Sequence, residues 1–328
     1  MAERRIGTVV QRRDLSPILS ILRLVPEEGD EFPPYLAGQY IALRRERCRL
    51  TKKIVGTGGR IEYVTDLDEN GNQRVGPISH AYSISSAPFE TSLSRYLEFY
   101  VVLQIDDRGQ PGRLTESLFQ VQTTGDRTIS YFYRITGDFT LEKRAAGFRN
   151  VVMIGTGSGL APFAAMIKQL HYEATRGSAS DVRYTLFHGN RSYLELGYHD
   201  ELAAIESHGK LDFVYVPTVS RPSEQDRVNA KLGKGRANNL VRRVFGMPLK
   251  EEEDLARMSA QGLDTTEATA SLNATVRPIL PSGVSESGLR ERMDPRTTVI
   301  LMCGNPGGMA DMKHVAEVQG IRFEHEEW

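Results

Sequence analysis

Residues 151 to 170 read Val-Val-Met-Ile-Gly-Thr-Gly-Ser-Gly-Leu-Ala-Pro-Phe-Ala-Ala-Met-Ile-Lys-Gln-Leu, a spacing suited to holding phosphate. The four apolar residues Val151 to Ile154 fit a buried strand. Gly155, Gly157 and Gly159 then alternate with Thr156 and Ser158, and a helical run follows with Phe163, Met166, Ile167 and Leu170 on one face. Pro162 fits the first turn of that helix, where a missing N–H costs little. A strand, a glycine turn and a helix N-terminus bring unpaired N–H groups and the positive end of the helix dipole to one point, a cradle for a pyrophosphate. Glycine at a strand-to-helix turn also serves any α/β domain. A second stretch, Thr298-Val-Ile-Leu-Met-Cys-Gly-Asn-Pro-Gly-Gly-Met309, favours the phosphate reading: it is another buried strand running into a turn and a helix. Together they predict two strand ends on one rim of a parallel sheet, where α/β folds bind ligands.

His80-Ala-Tyr-Ser-Ile-Ser-Ser-Ala-Pro88 is the chemical centre of the first half. In a short strand Tyr82 and Ser83 face opposite ways, and a ring and a hydroxyl so arranged can line a planar cofactor. A barrel strand with a core tyrosine accounts for the same residues.

The elements that must position these groups fall into two textures. Short apolar runs separated by turn signals, at 6–10, 18–25, 39–43, 61–64, 81–84, 97–104 and 129–135, predict an antiparallel β-barrel over residues 1–145. From 146 to 328 strands and helices alternate, at 151–154, 163–172, 182–188, 199–206, 212–216, 236–245, 298–302 and 308–317, which predicts an α/β domain with a parallel sheet. Two segments look inserted. One, about 44–75, carries a basic run (Arg44, Arg45, Arg47, Arg49, Lys52, Lys53) and a hairpin signal at Glu69-Asn-Gly-Asn72, and a solvated hairpin face explains those charges better than a docking patch. The other, about 249–293, is polar, with one helical stretch around Glu251 to Met258.

A chain of 328 residues suits two domains, and 40% hydrophobic with 25% charged residues describes a soluble globular protein. A net charge of -1 gives no general reason to expect nucleic acid or a membrane surface as partner. The start, Met1-Ala-Glu-Arg-Arg, lacks an apolar leader, and no run approaches the ~20 apolar residues that span a bilayer, so a cytoplasmic monomer is expected. Cys48 and Cys303 are the only cysteines, which excludes a disulfide framework or a four-cysteine iron–sulfur cluster within the chain. No metal site is expected.

In order along the chain, Ala37-Gly-Gln-Tyr40, His80-Ala-Tyr-Ser83, Leu97-Glu-Phe-Tyr100, Gly112-Arg-Leu-Thr115, Thr136-Gly-Asp-Phe139, the glycine turn with Pro162, and Cys303-Gly-Asn-Pro306 resemble the bacterial-type ferredoxin-NADP reductase superfamily. The resemblance covers most of the chain outside the two insertions. It implies a FAD-binding barrel followed by a Rossmann-like NADP-binding domain, and hydride transfer between NADP(H) and FAD, with single electrons passing to ferredoxin or flavodoxin. Tyr82 would stack on the isoalloxazine, and Ser83 would reach the flavin edge where hydride arrives. Ala81 and the backbone of Tyr100, Val101 and Val102 would line FAD. Gly112, Arg113, Leu114 and Thr115 would form the loop whose threonine holds the FAD pyrophosphate. Gly155, Thr156, Gly157, Gly159 and Pro162 would cradle the NADP pyrophosphate. Cys303 would sit where the nicotinamide docks, in a steric role, followed by Gly304, Asn305, Pro306 and Met309. Arg191, Ser220, Arg221 and Arg236 resemble positions that hold the 2′-phosphate, a task that suits the paired donors of guanidinium. The terminal Trp328 would pack against FAD.

One position departs from the family. Arginine usually stands three residues before the motif's serine, and here it is His80, so Arg113 is expected to supply charge to the pyrophosphate. The same motifs also suit a reductase for an oxygenase ferredoxin, a free-flavin or haem-protein reductase, or a flavin-binding regulator without turnover.

Overall fold

The computed structural model describes residues 3–56, 59, 61–106, 108–178 and 180–326. The chain divides into two compact units, Met1–Tyr35 with Gln39–Gly137, and Leu36–Gly38 with Asp138–Trp328. The division falls before the expected 145/146.

The first unit contains β1 (Arg4–Ser16), β2 (Leu19–Pro26), β3 (Tyr40–Arg49), β4 (Thr51–Val55), β5 (Ile61–Thr65), β6 (Val75–Ser83), α1 (Pro88–Ser94), β7 (Leu97–Val102), α2 (Arg113–Gln120) and β8 (Thr128–Thr136). Six strands form one antiparallel sheet in the order β6-β3-β8-β1-β2-β7. Its two outer strands approach each other: the Ser85 N–H donates to the Glu98 carbonyl at 2.8 Å and the Glu98 N–H to Ser86 Oγ at 3.0 Å. The sheet thereby curls around Leu22, Leu24, Ile41, Leu43, Phe99, Val101 and Tyr131. Alternation decides which residues enter that core: Leu97, Phe99 and Val101 are fully buried, while Glu98 between them turns to Arg23 at 2.7 Å.

The basic segment behaves differently from its expected form. β3 runs on to Arg49, and β4 and β5 then pair with each other as a separate two-stranded sheet. The Glu69–Asn72 signal closes a short hairpin of its own, as expected: Leu67 and Gln73 pair antiparallel across it, the Asp68 N–H donates to the Asn72 carbonyl at 2.9 Å, and the Asp68 carboxylate accepts from the N–H groups of Asn70 and Asn72, each at 2.9 Å.

The second unit contains α3 (Leu141–Arg144), β9 (Asn150–Thr156), α4 (Ala161–Thr175), β10 (Arg183–Asn190), α5 (His199–His208), β11 (Phe213–Val219), α6 (Glu224–Val228), β12 (Gly233–Lys234), α7 (Ala237–Val244), α8 (Lys250–Ala260), α9 (Thr266–Ala274), α10 (Glu286–Glu291), β13 (Thr298–Cys303), α11 (Pro306–Gln319) and β14 (Arg322–Glu326). Its sheet is parallel throughout, in the order β12-β11-β10-β9-β13-β14. Every residue of β13 is buried, as the continuous apolar run of a strand covered on both faces requires. The chain moves outward from β9 to β12, then returns to the other side of β9 as β13. The carboxyl ends of β9 and β13 therefore flank the point where strand order reverses, the standard ligand crevice of such sheets. The segment 249–293 holds α8, α9 and α10 where one helical stretch was expected. β14 was not foreseen.

Candidate functional site

β9 ends at Thr156, and a tight 3₁₀ turn over Gly157–Leu160 leads into α4, with Pro162 in its first turn. Two glycines make this turn possible. A Cβ on Gly159 would lie 2.2 Å from the Cys303 carbonyl oxygen and 2.5 Å from the Gly304 nitrogen, and Gly304, at φ +131, would place one 2.2 Å from Thr156 Oγ1. The turns after β9 and β13 thus touch backbone to backbone. Thr156 Oγ1 accepts from the Asn305 N–H at 2.9 Å, and the Asn305 side chain caps α11 by accepting from the Gly308 N–H at 2.9 Å. Pro306 opens α11, and Met309 and Cys303 are buried below it. Gly155, Thr156, Gly157, Gly159 and Pro162 are therefore brought together with Cys303, Gly304, Asn305 and Pro306. The result is a backbone-lined cradle at two helix N-termini, a shape that accepts a pyrophosphate and that a side chain at Gly159 would force open.

Sheet register assembles the arginines along the same edge. Asn190 pairs with Val219, the Ser220 N–H donates to the Asn190 carbonyl at 2.9 Å, and the Arg221 N–H to the Arg191 carbonyl at 2.8 Å. The Gly235 N–H reaches the Val219 carbonyl at 2.8 Å, so Arg236 follows directly. Arg191, Ser220, Arg221 and Arg236 consequently stand at the ends of adjacent strands. Their side chains are not equivalent. Arg191 pairs with the buried Glu195, through Nε at 3.0 Å and a second, shorter contact. Arg236 donates to the buried Glu251 at 2.7 Å, whose other oxygen accepts from Asn239 at 2.8 Å. Arg221 is exposed, and its guanidinium has no ion pair among the described residues. Neither carboxylate carries a motif in the sequence. Glu195, four residues after Arg191, was within reach of a spacing argument; Glu251, in the inserted segment, was not.

In the first unit the flavin candidates gather where the two sheet edges meet. Tyr40, Ile41, Ala42 and Leu43 on β3 face Ser83, Tyr82, Ala81 and His80 on β6. On the opposite edge, β7 supplies Tyr100, Val101 and Val102. Burial pushes the Tyr82 phenol well above its ordinary value, so the ring stays neutral. Ser83 Oγ is buried and has no hydrogen-bond partner among the described residues. Leaving a buried hydroxyl unpaired costs about 1–3 kcal/mol, and a bound group that accepts from it removes that cost. Gly112 caps α2, placing Arg113, Leu114 and Thr115 in a first turn whose N–H groups lack helical acceptors. The Thr115 hydroxyl is already engaged, donating to the Gly112 carbonyl at 3.0 Å and accepting from the Gln104 N–H at 3.3 Å, so the backbone there is freer than the side chain. His80 is exposed. These residues fit a flavin dinucleotide. Trp328 lies outside the described residues.

Glu326 lies in a charged stretch that carries no motif. It sits opposite Cys303 in the β13–β14 register, and its Oε2 is buried without a hydrogen-bond partner among the described residues. Burial pushes the carboxyl up to about 8, against a weaker pull from Arg144. A raised folded value means that folding favours the protonated form: its contribution is complete below the unfolded value of about 4.3 and is lost as pH rises through about 8. Relative to Glu326→Gln, the wild-type melting temperature is expected to fall steadily between pH 5 and pH 9. A difference that stays constant across that range would mean the carboxyl is solvated. Among the described residues no cluster of three or more His, Cys, Asp or Glu could hold a metal ion, and no helix is long and apolar enough to cross a membrane.

The first unit is thus an antiparallel barrel-like sheet and the second a doubly wound parallel sheet with a glycine cradle at its switch point. A family model described as the oxidoreductase NAD-binding domain matches residues 153–258. The ferredoxin–NADP reductase of Azotobacter vinelandii is 29% identical over 190 residues, covering 55% of this chain and 66% of that protein. Ferredoxin–NADP reductase A of Sorangium cellulosum is 31% identical over 170 residues, covering 49% and 55%. The matched stretch thus spans less than two thirds of either relative. A ferredoxin NADP+ reductase from Neisseria gonorrhoeae, solved with bound FAD and NADP, superposes with a TM-score of 0.55 at 20% identity, covering 99% of both chains. The chain is thus similar in sequence to ferredoxin–NADP reductases over about half of its length, and similar in fold to the Neisseria reductase over nearly all of it.

Proposed function

We propose that the chain holds FAD in its first unit and NADP(H) in its second, and that it exchanges electrons between NADP(H) and a one-electron carrier protein, ferredoxin or flavodoxin. The observation that carries this reading is the buried Ser83 hydroxyl at the end of β6, which has no hydrogen-bond partner among the described residues. When bound, FAD supplies the conversion between a two-electron hydride donor and one-electron acceptors. The chain's own residues bind and orient. The Ser83 hydroxyl donates to the flavin edge that receives hydride, and the Tyr82 ring provides an apolar face. The α2 N-terminus, with Arg113 beside it, takes the FAD pyrophosphate. The turn at 155–159 and the loop at 304–306 take the NADP pyrophosphate, the buried Cys303 supports that loop from beneath, and Ser220 and Arg221 meet the 2′-phosphate. The names of the two bacterial relatives support the carrier class.

The purified protein is expected to be yellow, to release its colour on acid precipitation, and to bleach anaerobically with NADPH. A colourless protein that takes up no added FAD would end this reading. Ser83→Ala should keep its FAD and bleach roughly tenfold to a hundredfold more slowly, the equivalent of one hydrogen bond to a reacting group. Equal rates would remove Ser83 from the reaction.

A further inference from the structure

The inserted segment 249–293 carries no motif, yet it grips the rim loop that bears Arg236. Lys234 and Ile279 exchange backbone hydrogen bonds of 2.9 Å in both directions. Gly235, at φ +99, packs so closely that a Cβ would lie 3.0 Å from Pro278 Cα. At the start of α8 the Lys250 N–H donates to Asn239 Oδ1 at 3.1 Å, which fixes the next residue, Glu251, beneath Arg236. The Glu251 side chain is 3% exposed and that of Arg236 is 53% exposed. The carboxylate therefore cannot turn away, while the guanidinium reaches the solvent-facing rim with its charge already matched. Glu195, 7% exposed, does the same beneath Arg191. An ion pair presents a dipole where a free guanidinium presents a charge, and a dipole's field falls off faster. Of the three rim arginines only Arg221 acts as an unmatched positive charge.

We propose that Glu251, delivered by the inserted segment, is a coenzyme-selectivity determinant: it offsets Arg236, so that discrimination for the 2′-phosphate rests on Arg221 and is held below what three arginines would give. This rests on the reading of the rim as the 2′-phosphate site. Glu251→Gln keeps an acceptor for Arg236 and removes the negative charge.

The test is calorimetric titration of the FAD-loaded protein with adenosine 2′,5′-bisphosphate and with 5′-AMP, which differ only in the 2′-phosphate. The measured quantity is the ratio of their dissociation constants, which loss of general packing would not move. Glu251→Gln should raise the preference for the bisphosphate about three- to tenfold, as expected for one charge removed within a Debye length. Arg221→Ala should lower it roughly tenfold. The double variant Arg236→Gln/Glu251→Gln, which removes the pair without leaving a buried charge, should change it less than about threefold, and it decides the matter if Glu251→Gln alone does not fold. The proposal is overturned if Glu251→Gln leaves the ratio unchanged or lowers it, or if the double variant loses tenfold, while Arg221→Ala still matters. If Arg221→Ala has no effect, the 2′-phosphate reading itself fails.

Discussion

Gly159→Ala is expected to weaken NADP(H) binding by roughly a hundredfold or more while leaving FAD content unchanged. The added carbon would stand 2.2 Å from the Cys303 carbonyl oxygen and 2.5 Å from the Gly304 nitrogen. Both obstacles are backbone, so no rotamer relieves the clash, and the turns after β9 and β13 must separate. Overpacking of this kind costs about 1–3 kcal/mol where side chains can adjust and more where the main chain must move. It also shifts the α4 N-terminus away from the phosphates it would hold. The FAD candidates among the described residues belong to the other unit, so flavin absorbance serves as the internal control. Titration with NADP+ checks the result; an affinity within threefold of wild type would mean that the contact of the two turns does not build the cradle.

The largest stability effect is expected from Arg242→Met. Arg242 and Asp311 are 1% and 2% exposed. Arg242 Nε lies 3.0 Å from the carboxylate, and the same side chain donates to the Pro248 carbonyl at 3.0 Å and to Glu253 at 2.9 Å; Asn238 donates to Asp311 at 2.6 Å. Removing the guanidinium strands a buried charge, at a cost of about 3–5 kcal/mol. For a unit of this size that corresponds to a melting temperature lowered by roughly 6–20 °C. Arg242→Met/Asp311→Leu should recover most of the loss, because two well-packed apolar side chains need no partner. A single variant that melts within about 2 °C of wild type would show that Asp311 is compensated by another group.

The parts legible in the sequence were those whose pattern is local. β9 and β13 are continuous apolar runs because parallel strands are buried on both faces, and the glycines between them and their helices mark turns that tolerate no side chain. Elements defined by tertiary partners were not legible. β14, Arg-Phe-Glu-His-Glu, is a charged stretch that is a strand only because β13 offers it a ladder. α2 is eight residues long, too short for periodicity to stand out against its loop. The unit boundary was placed late because Phe139 reads as the tail of the barrel, whereas its ring packs edge-on against Phe163, 5.7 Å away, in the second unit. Within the site, Tyr82, Ser83 and the three arginines could be picked out by type. That two of those arginines stand over buried carboxylates depends on contacts formed only in the fold.

The β4–β5 ribbon has a colloidal consequence. Its strands pair with each other and with no third strand among the described residues, and Val55, Ile61 and Tyr63 share one face at 73%, 51% and 64% exposure. Such an edge can template strand addition from another molecule, and the positive charges of Lys52 and Lys53 along β4 resist it by repulsion. That repulsion extends about 10 Å at 0.1 M salt and only about 3 Å at 1 M. Raising the ionic strength is therefore expected to shorten the time for which a concentrated solution stays clear. Precipitation begun by salting out should start at this ribbon while both hydrophobic cores are still intact.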